Sequence, residues 1–239
     1  DPILKERLFG LTNEQGNHGE DVKEMYWHED AVPSHAYQRM TYRYPHAEFP
    51  YGSLVEENAR RTSEDREFEL VDTGVLDENR FFDVVVEYAK SGIDDLLMRI
   101  EIRNHGPEAA CIDVLPQIWF RNTWSWADDR ERPNLKRSGS NAIDIEHPDF
   151  ADWRWSIQSA DEIVFCENDT NANAMWNQET AGFFKDGINR YVVEGDGSAV
   201  NPRGSGTKAA GRVHVELESG GSHVVRVRIG RFEMESPFV

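Results

Sequence analysis

From about residue 67 onward, hydrophobic and polar residues alternate, and this two-residue period is typical of half-buried β-strands. The clearest case is Leu96–Arg103, whose apolar side chains share one face while its charged side chains share the other. Turn residues around Gly106 follow, and the extended pattern resumes over Ala110–Phe120. The pattern predicts a long β-hairpin in which Pro116, which has no N–H to donate, occupies a bulge or an edge strand.

Similar short runs recur along the chain, separated by turn residues. They predict strands at Glu67–Asp72, Arg80–Tyr88, Ala142–Ile145, Trp153–Gln158, Glu162–Glu167, Ala174–Asn177, Asn189–Val193, Val213–Leu217 and Val225–Ile229. The first of these strands should form an antiparallel meander with Leu96–Arg103. The Gly-rich stretch Gly195–Gly211 predicts a flexible loop, and Ser219–Ser222 a turn between the last two strands. Many short strands without a long helix predict an all-β, antiparallel β-sandwich of two packed sheets.

Residues 1–60 differ from the rest, because they show little alternation and collect Gly, His and aromatic residues. We expect an irregular, aromatic-rich segment here that packs on the sandwich of residues 61–239 or on another domain. A chain of 239 residues fits a single sandwich, so both parts are assigned to one domain. Because the chain starts at Asp1 without an initiator Met, we expect it to be a fragment of a longer polypeptide.

The composition argues against two classes of partner. Asp and Glu number 44 against 26 Lys and Arg, so the net charge of −18 disfavours nucleic acid and anionic membranes. No apolar run is long enough to span a bilayer. Cys111 and Cys166 lie in apolar runs and are interpreted as free, buried thiols in a reducing, cytoplasmic compartment, with a single disulfide as the alternative.

The candidate chemistry concentrates after the predicted hairpin. Indoles stand beside charged groups there, the combination that binds sugars by stacking and hydrogen bonding, and the candidates are Arg121, Trp124, Trp126, Asp128 and Asp129. The commoner role of such tryptophans is to fill a core or an interface, and that alternative stays open.

A second candidate surface is the Gly-flanked loop that contains His18, Glu20 and Asp21. A solvated charge cluster is the simpler interpretation of this loop. The four histidines His18, His28, His35 and His46 match no familiar zinc spacing, so we predict no metal site. No phosphate-binding Gly loop, nucleophile elbow or paired-Cys motif is present, and we expect no cofactor.

Several strings resemble a known family. DPILKERLFGLTNEQGNHGEDVKE, DAVPSHAYQRMTYRYPHAEFPY, FELVDTGVLDENRFFDVVVEYAK and RNHGPEAACIDVLPQIWFRNTWSW are similar to the N-terminal region of bacterial glycoside hydrolase family 63 proteins, which are described as glucosidases or mannosyl-oligosaccharide glucosidase-like. The resemblance implies a galactose-mutarotase-like β-supersandwich packed on a C-terminal (α/α)₆ barrel. It also implies hydrolysis of α-linked glucosides, or related α-linked sugars, with inversion by two carboxylates of that barrel. No position here matches those carboxylates, so no catalytic residue is assigned.

The resemblance therefore implies a non-catalytic domain whose partners are its own catalytic barrel and the carbohydrate substrate. Two alternatives belong to other classes. An autonomous carbohydrate-binding module would use Trp124 and Trp126 as a stacking platform. A mutarotase-like epimerase would need a His and a Glu as acid and base, and His105, in a predicted turn, is the nearest candidate.

Overall fold

The computed structural model describes residues 25–126, 131–231 and 237–238. The strands are β1 (Met25–Ala31), β2 (Tyr37–Pro45), β3 (Phe81–Gly92), β4 (Asp95–Asn104), β5 (Ala110–Val114), β6 (Gln117–Trp119), β7 (Asn134–Arg137), β8 (Ala142–His147), β9 (Phe150–Ile157), β10 (Glu162–Cys166), β11 (Ser205–Gly206), β12 (Lys208–Leu217) and β13 (Ser222–Arg231). The helices are α1 (Tyr51–Arg60), α2 (Ala172–Trp176) and α3 (Gly187–Asn189), with 3₁₀ turns at Leu70–Thr73, Asp77–Asn79 and Gly197–Ala199 and a π-helical turn at Arg190–Glu194. None of the helices in these ranges is long and apolar enough to cross a bilayer.

Within the described residues the strands form two antiparallel sheets of unequal width. The large sheet has nine strands in the order β1-β2-β3-β4-β13-β9-β8-β7-β11. The small sheet has the order β10-β12-β5, with β6 also paired to β12. The all-β, antiparallel sandwich predicted from the sequence is thereby confirmed, as is the antiparallel pairing of the strands predicted at Arg80–Tyr88 and Leu96–Arg103, which are β3 and β4.

The main core lies between the two sheets, because each sheet turns one apolar face toward the other. Buried core residues from the large sheet are Phe82, Ile100, Ile102, Leu135, Ile143, Ile145, Trp155, Ile157, Val225 and Val227. Those from the small sheet are Val114, Ile118, Ile163, Phe165, Ala209, Val213, Val215 and Leu217. Each large aliphatic or aromatic side chain buried in this way stabilises the fold by about 1.5–3 kcal/mol.

The opposite face of the small sheet is covered by the segment that contains α3. Val164, Cys166 and Ala210 of the sheet pack there against Ile188 and Val200. Cys166 is fully buried, and burial raises the pKa of its thiol to about 12. Both cysteines are free, as predicted, but the predicted burial of Cys111 is wrong, because its side chain lies on the solvent-facing side of β5 and is exposed.

The predicted hairpin over residues 96–120 is wrong in its pairing. β4 lies between β3 and β13 in the large sheet, whereas β5 pairs with β12 in the small sheet. The turn after Asn104 therefore carries the chain from one sheet to the other, so the apolar faces of β4 and β5 pack across the core. The last two strands, β12 and β13, are likewise joined by a turn but lie in different sheets. Pro116 interrupts β5–β6 on the edge of the small sheet, and its predicted edge position is confirmed.

The predicted strands at 67–72, 174–177 and 189–193 are wrong, because these ranges contain no strand and overlap the 3₁₀ turn at Leu70–Thr73, helix α2 and the helical segment Gly187–Glu194. The reason is local capping in two cases. Glu69 and Asp72 form a reciprocal capping box, and the side chain of Asn171 accepts a hydrogen bond from the Ala174 N–H. The predicted flexible loop at 195–211 contains β11 and the start of β12, where buried Ala209 and Ala210 are too small to show an alternation.

Over residues 25–60 the structure also differs from the expectation of an irregular segment. β1 and β2 form an antiparallel hairpin that extends the large sheet beside β3, and α1 follows. The alternation is hidden because both faces of β2 are polar or aromatic. On one face Arg43 forms a bidentate ion pair with Asp83, and on the other lie Tyr42 and Tyr44.

Candidate functional site

Two loops meet at one end of the small sheet because of the strand register. Trp119, the last residue of β6, pairs with Lys208 of β12, and Cys166, the last residue of β10, pairs with the same Lys208 on the other side. Both flanking strands run antiparallel to β12 and therefore end at the same level. The Trp-rich loop that follows β6 is thus placed beside Glu167–Asp169, which follow β10.

The Trp-rich loop, residues 121–126, is folded by its own hydrogen bonds. The Asn122 side chain accepts from the Ser125 N–H at 3.2 Å, and the Trp126 N–H donates to the Thr123 carbonyl at 3.2 Å. Such a side-chain-to-backbone turn is the usual role of Asn in a tight loop. The turn places Trp124 and Trp126 on a compact surface rather than on an extended strand.

Asp169 is the residue that ties this loop to the rest of the domain. Its Oδ1 accepts from Asn122 Nδ2 at 2.5 Å and from the indole Nε1 of Trp124 at 3.3 Å. Its Oδ2 accepts from Arg132 Nη2 at 2.8 Å. Hydrogen bonds to an ionised group are the stronger ones, so one carboxylate holds an amide, an indole and a guanidinium together.

Glu167 supports the same guanidinium from the neighbouring position. Its Oε2 lies 2.7 Å from Arg132 Nη2 and also accepts from the hydroxyl and the N–H of Thr207, at 2.7 and 3.0 Å. Arg132 therefore lies between two carboxylates, with its guanidinium carbon 5.5 Å from the centre of the Trp124 ring. Since Thr207 is 1% exposed, this arrangement is anchored on a buried group of the small sheet.

The outer part of the site is formed by Trp126 and Arg121. The indole of Trp126 is 57% exposed, and the guanidinium carbon of Arg121 lies 4.9 Å from its ring centre. Trp124, by contrast, is half-buried. An open aromatic face beside guanidinium donors can stack on the apolar face of a sugar or pack against another domain.

A chain of aromatic rings extends from this end of the small sheet to the β8–β9 hairpin of the large sheet. The ring of Phe120 is 4.8 Å from that of His147, which is 4.7 Å from Phe150, and Phe150 in turn packs edge-on to Trp153. Phe150 is 45% exposed. The aromatic surface at this end therefore involves both sheets.

Two half-buried lysines lie near the Glu167–Asp169 loop. Burial lowers the pKa of Lys208, and burial also lowers the pKa of Lys185, whose backbone N–H donates to the Asp169 carbonyl. The nearby carboxylate of Asp186 is 3% exposed and receives one hydrogen bond from Asn171 on Oδ2. These residues support the Glu167–Asp169 loop from its buried side.

Three of the residues predicted from the sequence come together at this site: Arg121, Trp124 and Trp126. Five others lie outside the described residues: His18, Glu20, Asp21, Asp128 and Asp129. Sequence reasoning missed Asn122, Arg132, Glu167 and Asp169. A turn signal, Asn168-Asp169-Thr170-Asn171, follows directly after a buried strand. No spacing in the sequence, however, links Asp169 to a loop more than forty residues earlier.

The histidine proposed for an epimerase is engaged elsewhere. His105 Nε2 lies 3.0 Å from Asp83, whose two oxygens also receive the guanidinium of Arg43 at 2.8 and 2.9 Å. Both oxygens of the Asp83 carboxylate are therefore occupied by side chains of this chain. In the ranges 25–126, 131–231 and 237–238, no three His, Cys, Asp or Glu side chains are placed to hold a metal ion.

Comparisons with known proteins extend these observations. No family model matches the chain. The chain is 34% identical over 261 aligned positions to the uncharacterized protein YMR196W of Saccharomyces cerevisiae (strain ATCC 204508 / S288c), an alignment that covers 94% of this chain and 24% of the yeast protein. The chain thus spans about a quarter of the length of this curated relative. Among solved structures, a polysaccharide lyase, BACCELL_00875, superposes with a TM-score of 0.40 at 10% identity, covering 85% of this chain and 22% of the lyase chain.

Proposed function

We propose that this chain is the non-catalytic N-terminal β-sandwich of a larger glycoside hydrolase of the family 63 type. In this proposal the parent polypeptide hydrolyses α-linked glucosides, or related α-linked sugars, with inversion, and the catalytic carboxylates belong to an (α/α)₆ barrel that follows the sandwich. The sandwich supports the barrel and lines the rim of its sugar pocket. A cytoplasmic location accompanies this proposal, because both cysteines were interpreted from the sequence as reduced.

One observation carries the proposal: the exposed Trp126–Arg121 pair stands on a loop that Asp169 fixes in place. A solvated loop gains nothing from a carboxylate that holds an indole, an amide and a guanidinium at once. A loop that must present an aromatic ring to a partner or a sugar gains from it, since pre-organisation lowers the entropic cost of binding. The fourfold greater length of the yeast relative supports a parent with further domains.

The proposal is tested with the parent polypeptide and with this chain alone on α-linked glucosyl and mannosyl disaccharides, while NMR follows the released anomer. We expect activity only in the parent, with an inverted product. Activity of the chain alone would overturn the non-catalytic assignment. A retained anomer would overturn the family assignment.

The role of the loop is tested by replacing Trp124 and Trp126 together with Ala in the parent. We expect KM for an oligosaccharide to rise by about tenfold or more, because stacked aromatic contacts contribute on the order of 1 kcal/mol each. Trp27→Ala is the matched control, since this indole is 43% exposed and lies on β1, at the edge of the large sheet opposite β11. Unchanged kinetics and unchanged domain association in the double variant would remove the site.

An autonomous carbohydrate-binding module is the second candidate, and the exposure of Trp126 to solvent favours it. It predicts that the isolated chain binds oligosaccharides measurably by calorimetry and that Trp126→Ala abolishes this binding. The supporting-domain proposal predicts weak or no binding by the isolated chain, because the rest of the pocket belongs to the barrel.

A further inference from the structure

We infer that Asp169 is a positioning residue that sets the orientation of Trp124 and Arg132 and thereby the shape of the aromatic loop. This inference rests on the proposed function for its consequence in the parent, but its geometric part concerns this chain alone. It assigns a role to a residue that no motif identifies and that stands far in sequence from the groups it orients.

The first argument is the division of the Asp169 carboxylate between two separate segments. Oδ1 receives donors from Asn122 and Trp124, which belong to the loop after β6, while Oδ2 receives Arg132, which precedes β7. The backbone carbonyl of Asp169 is itself held by the Lys185 N–H at 3.1 Å. Three segments are therefore joined at one residue.

The second argument is that the support of Asp169 is rigid. Asn168, its neighbour, donates its backbone N–H to the buried hydroxyl oxygen of Thr207 at 2.7 Å and its side-chain amide to the Phe120 carbonyl at 2.8 Å. Glu167 on the other side accepts twice from Thr207. A side chain held on such a base transmits a fixed position to its partners.

The third argument separates the orienting group from the binding surface. Both oxygens of Asp169 are occupied by donors from this chain, whereas the side chains of Trp126 and Arg121 are exposed. Asp169 therefore acts through Trp124 and Arg132, and ligand or partner contacts fall to Trp126 and Arg121. A ligand recognised here is gripped by ring stacking and guanidinium donors rather than by the Asp169 carboxylate.

The geometric part is tested on the isolated chain by NMR of ¹⁵N-labelled indoles in the Asp169→Ala and Asp169→Asn variants. We expect the Trp124 indole N–H resonance to shift and its exchange with water to accelerate by about tenfold in Asp169→Ala, because a charge-assisted hydrogen bond is lost. Asp169→Asn keeps an acceptor and a similar shape, so it should retain most of the protection. The matched control is Asp144→Asn. It removes a carboxylate that pairs with Arg154 at 2.8 Å on the face of the large sheet that points away from the core.

The functional part is tested by a double-mutant cycle on KM in the parent, with Asp169→Ala and Trp124→Ala alone and combined. A positioning residue predicts that Asp169→Ala raises KM in the presence of Trp124 and has no further effect in its absence. An additive pair in which each single variant raises KM, or an unmoved indole resonance in Asp169→Ala, would overturn the inference. If the indole resonance moves while neither single variant changes KM or domain association, the positioning role stands and the proposed function fails.

Discussion

At the scale of single residues, a tight constraint lies at Gly206, in the short strand β11 that leads to Thr207. A Cβ atom at this position would lie 2.3 Å from the carbonyl oxygen of Cys166, which belongs to the backbone of β10. Real Cβ atoms do not approach an oxygen so closely, and a backbone oxygen cannot rotate away as a side chain can. Close approach of two backbones, rather than a special turn, is what requires glycine here.

Replacing Gly206 by Ala should therefore destabilise the fold by about 1–3 kcal/mol, the usual cost of forcing extra atoms into a packed site. The measurement is the urea midpoint of unfolding, followed by circular dichroism. Gly52→Ala is the control, because no atom lies within 4 Å of its Cβ position and it sits in α1. The control should be neutral or slightly stabilised. Equal midpoints for the two variants would show that the β10–β11 contact is looser than described.

The same contact matters for the candidate site, because Gly206 and Cys166 immediately precede the residues that support it. Thr207 follows Gly206, and Glu167 follows Cys166. If the two backbones were forced apart, the hydrogen bonds between Thr207 and Glu167 would lengthen first. A residue without a side chain thus determines the position of a carboxylate that holds Arg132.

At the scale of elements, alternation predicted the strands that carry one clean apolar face, such as β3, β4 and β13. It did not predict which sheet each strand joins, because a strand turns the same apolar face to the core in either sheet. The crossing from β4 in the large sheet to β5 in the small sheet is fixed by Asn104. This residue is fully buried, and its side-chain amide donates to the Glu108 and Leu217 carbonyls, each at 2.8 Å. A single asparagine at the end of a strand carries no periodic signal.

The same limit applies to the candidate site. Arg121, Trp124 and Trp126 could be predicted because they are contiguous and chemically distinctive. Asp169 could not be predicted, since its place beside them depends on β6 and β10 ending at the same residue of β12. Where β1 and β2 were missed, cross-strand ion pairs had replaced apolar residues on one face, which removes the hydrophobic period altogether.

Cross-strand ion pairs also make the stability of the large sheet depend on pH. Asp95, at the start of β4, receives Arg228 of β13 through two hydrogen bonds of 2.7 Å, and both side chains are about one-fifth exposed. The hydrogen bonds from Arg228 lower the pKa of Asp95. The pair therefore joins two adjacent strands most effectively when the carboxyl is ionised.

The direction of the pH effect on stability follows from the linkage between proton binding and folding. Because the folded-state pKa of Asp95 lies below its unfolded value of about 3.9, the contribution is complete above that pH and is lost as the pH falls toward the folded pKa. Urea unfolding of the wild type and Asp95→Asn at pH 7, 5, 4 and 3 should show a difference that shrinks below about pH 4. Asp94→Asn is the control, since its partner Arg231 makes one 2.8 Å contact and both side chains are more exposed. A constant difference for Asp95→Asn at every pH would contradict the ion-pair explanation.

At the scale of the whole molecule, the two sheets differ in width, and two groups of exposed aromatic residues lie toward opposite edges of the large sheet. Near β11 are Trp126, Phe150 and the aromatic chain, and at the β1 edge are Tyr26 and Trp27, which are 47% and 43% exposed. Both ends could meet another domain of a parent polypeptide. The hydrogen bonds distinguish them, because Asp169 holds the aromatic loop near β11 in a defined shape, whereas β1 is an edge strand among the described residues.

Hydrogen exchange of the isolated chain and of the same residues within the parent polypeptide decides between the two ends. If the loop near β11 faces the barrel, the amides of residues 121–126 should exchange at least tenfold more slowly in the parent, since a covered loop opens less often. Amides of β1 provide the internal reference and should be unchanged. Slower exchange in β1 with no change at 121–126 would place the domain contact at the opposite edge of the large sheet. The Trp-rich loop would then have to be explained by sugar binding alone, which the calorimetry of the isolated chain would already have measured.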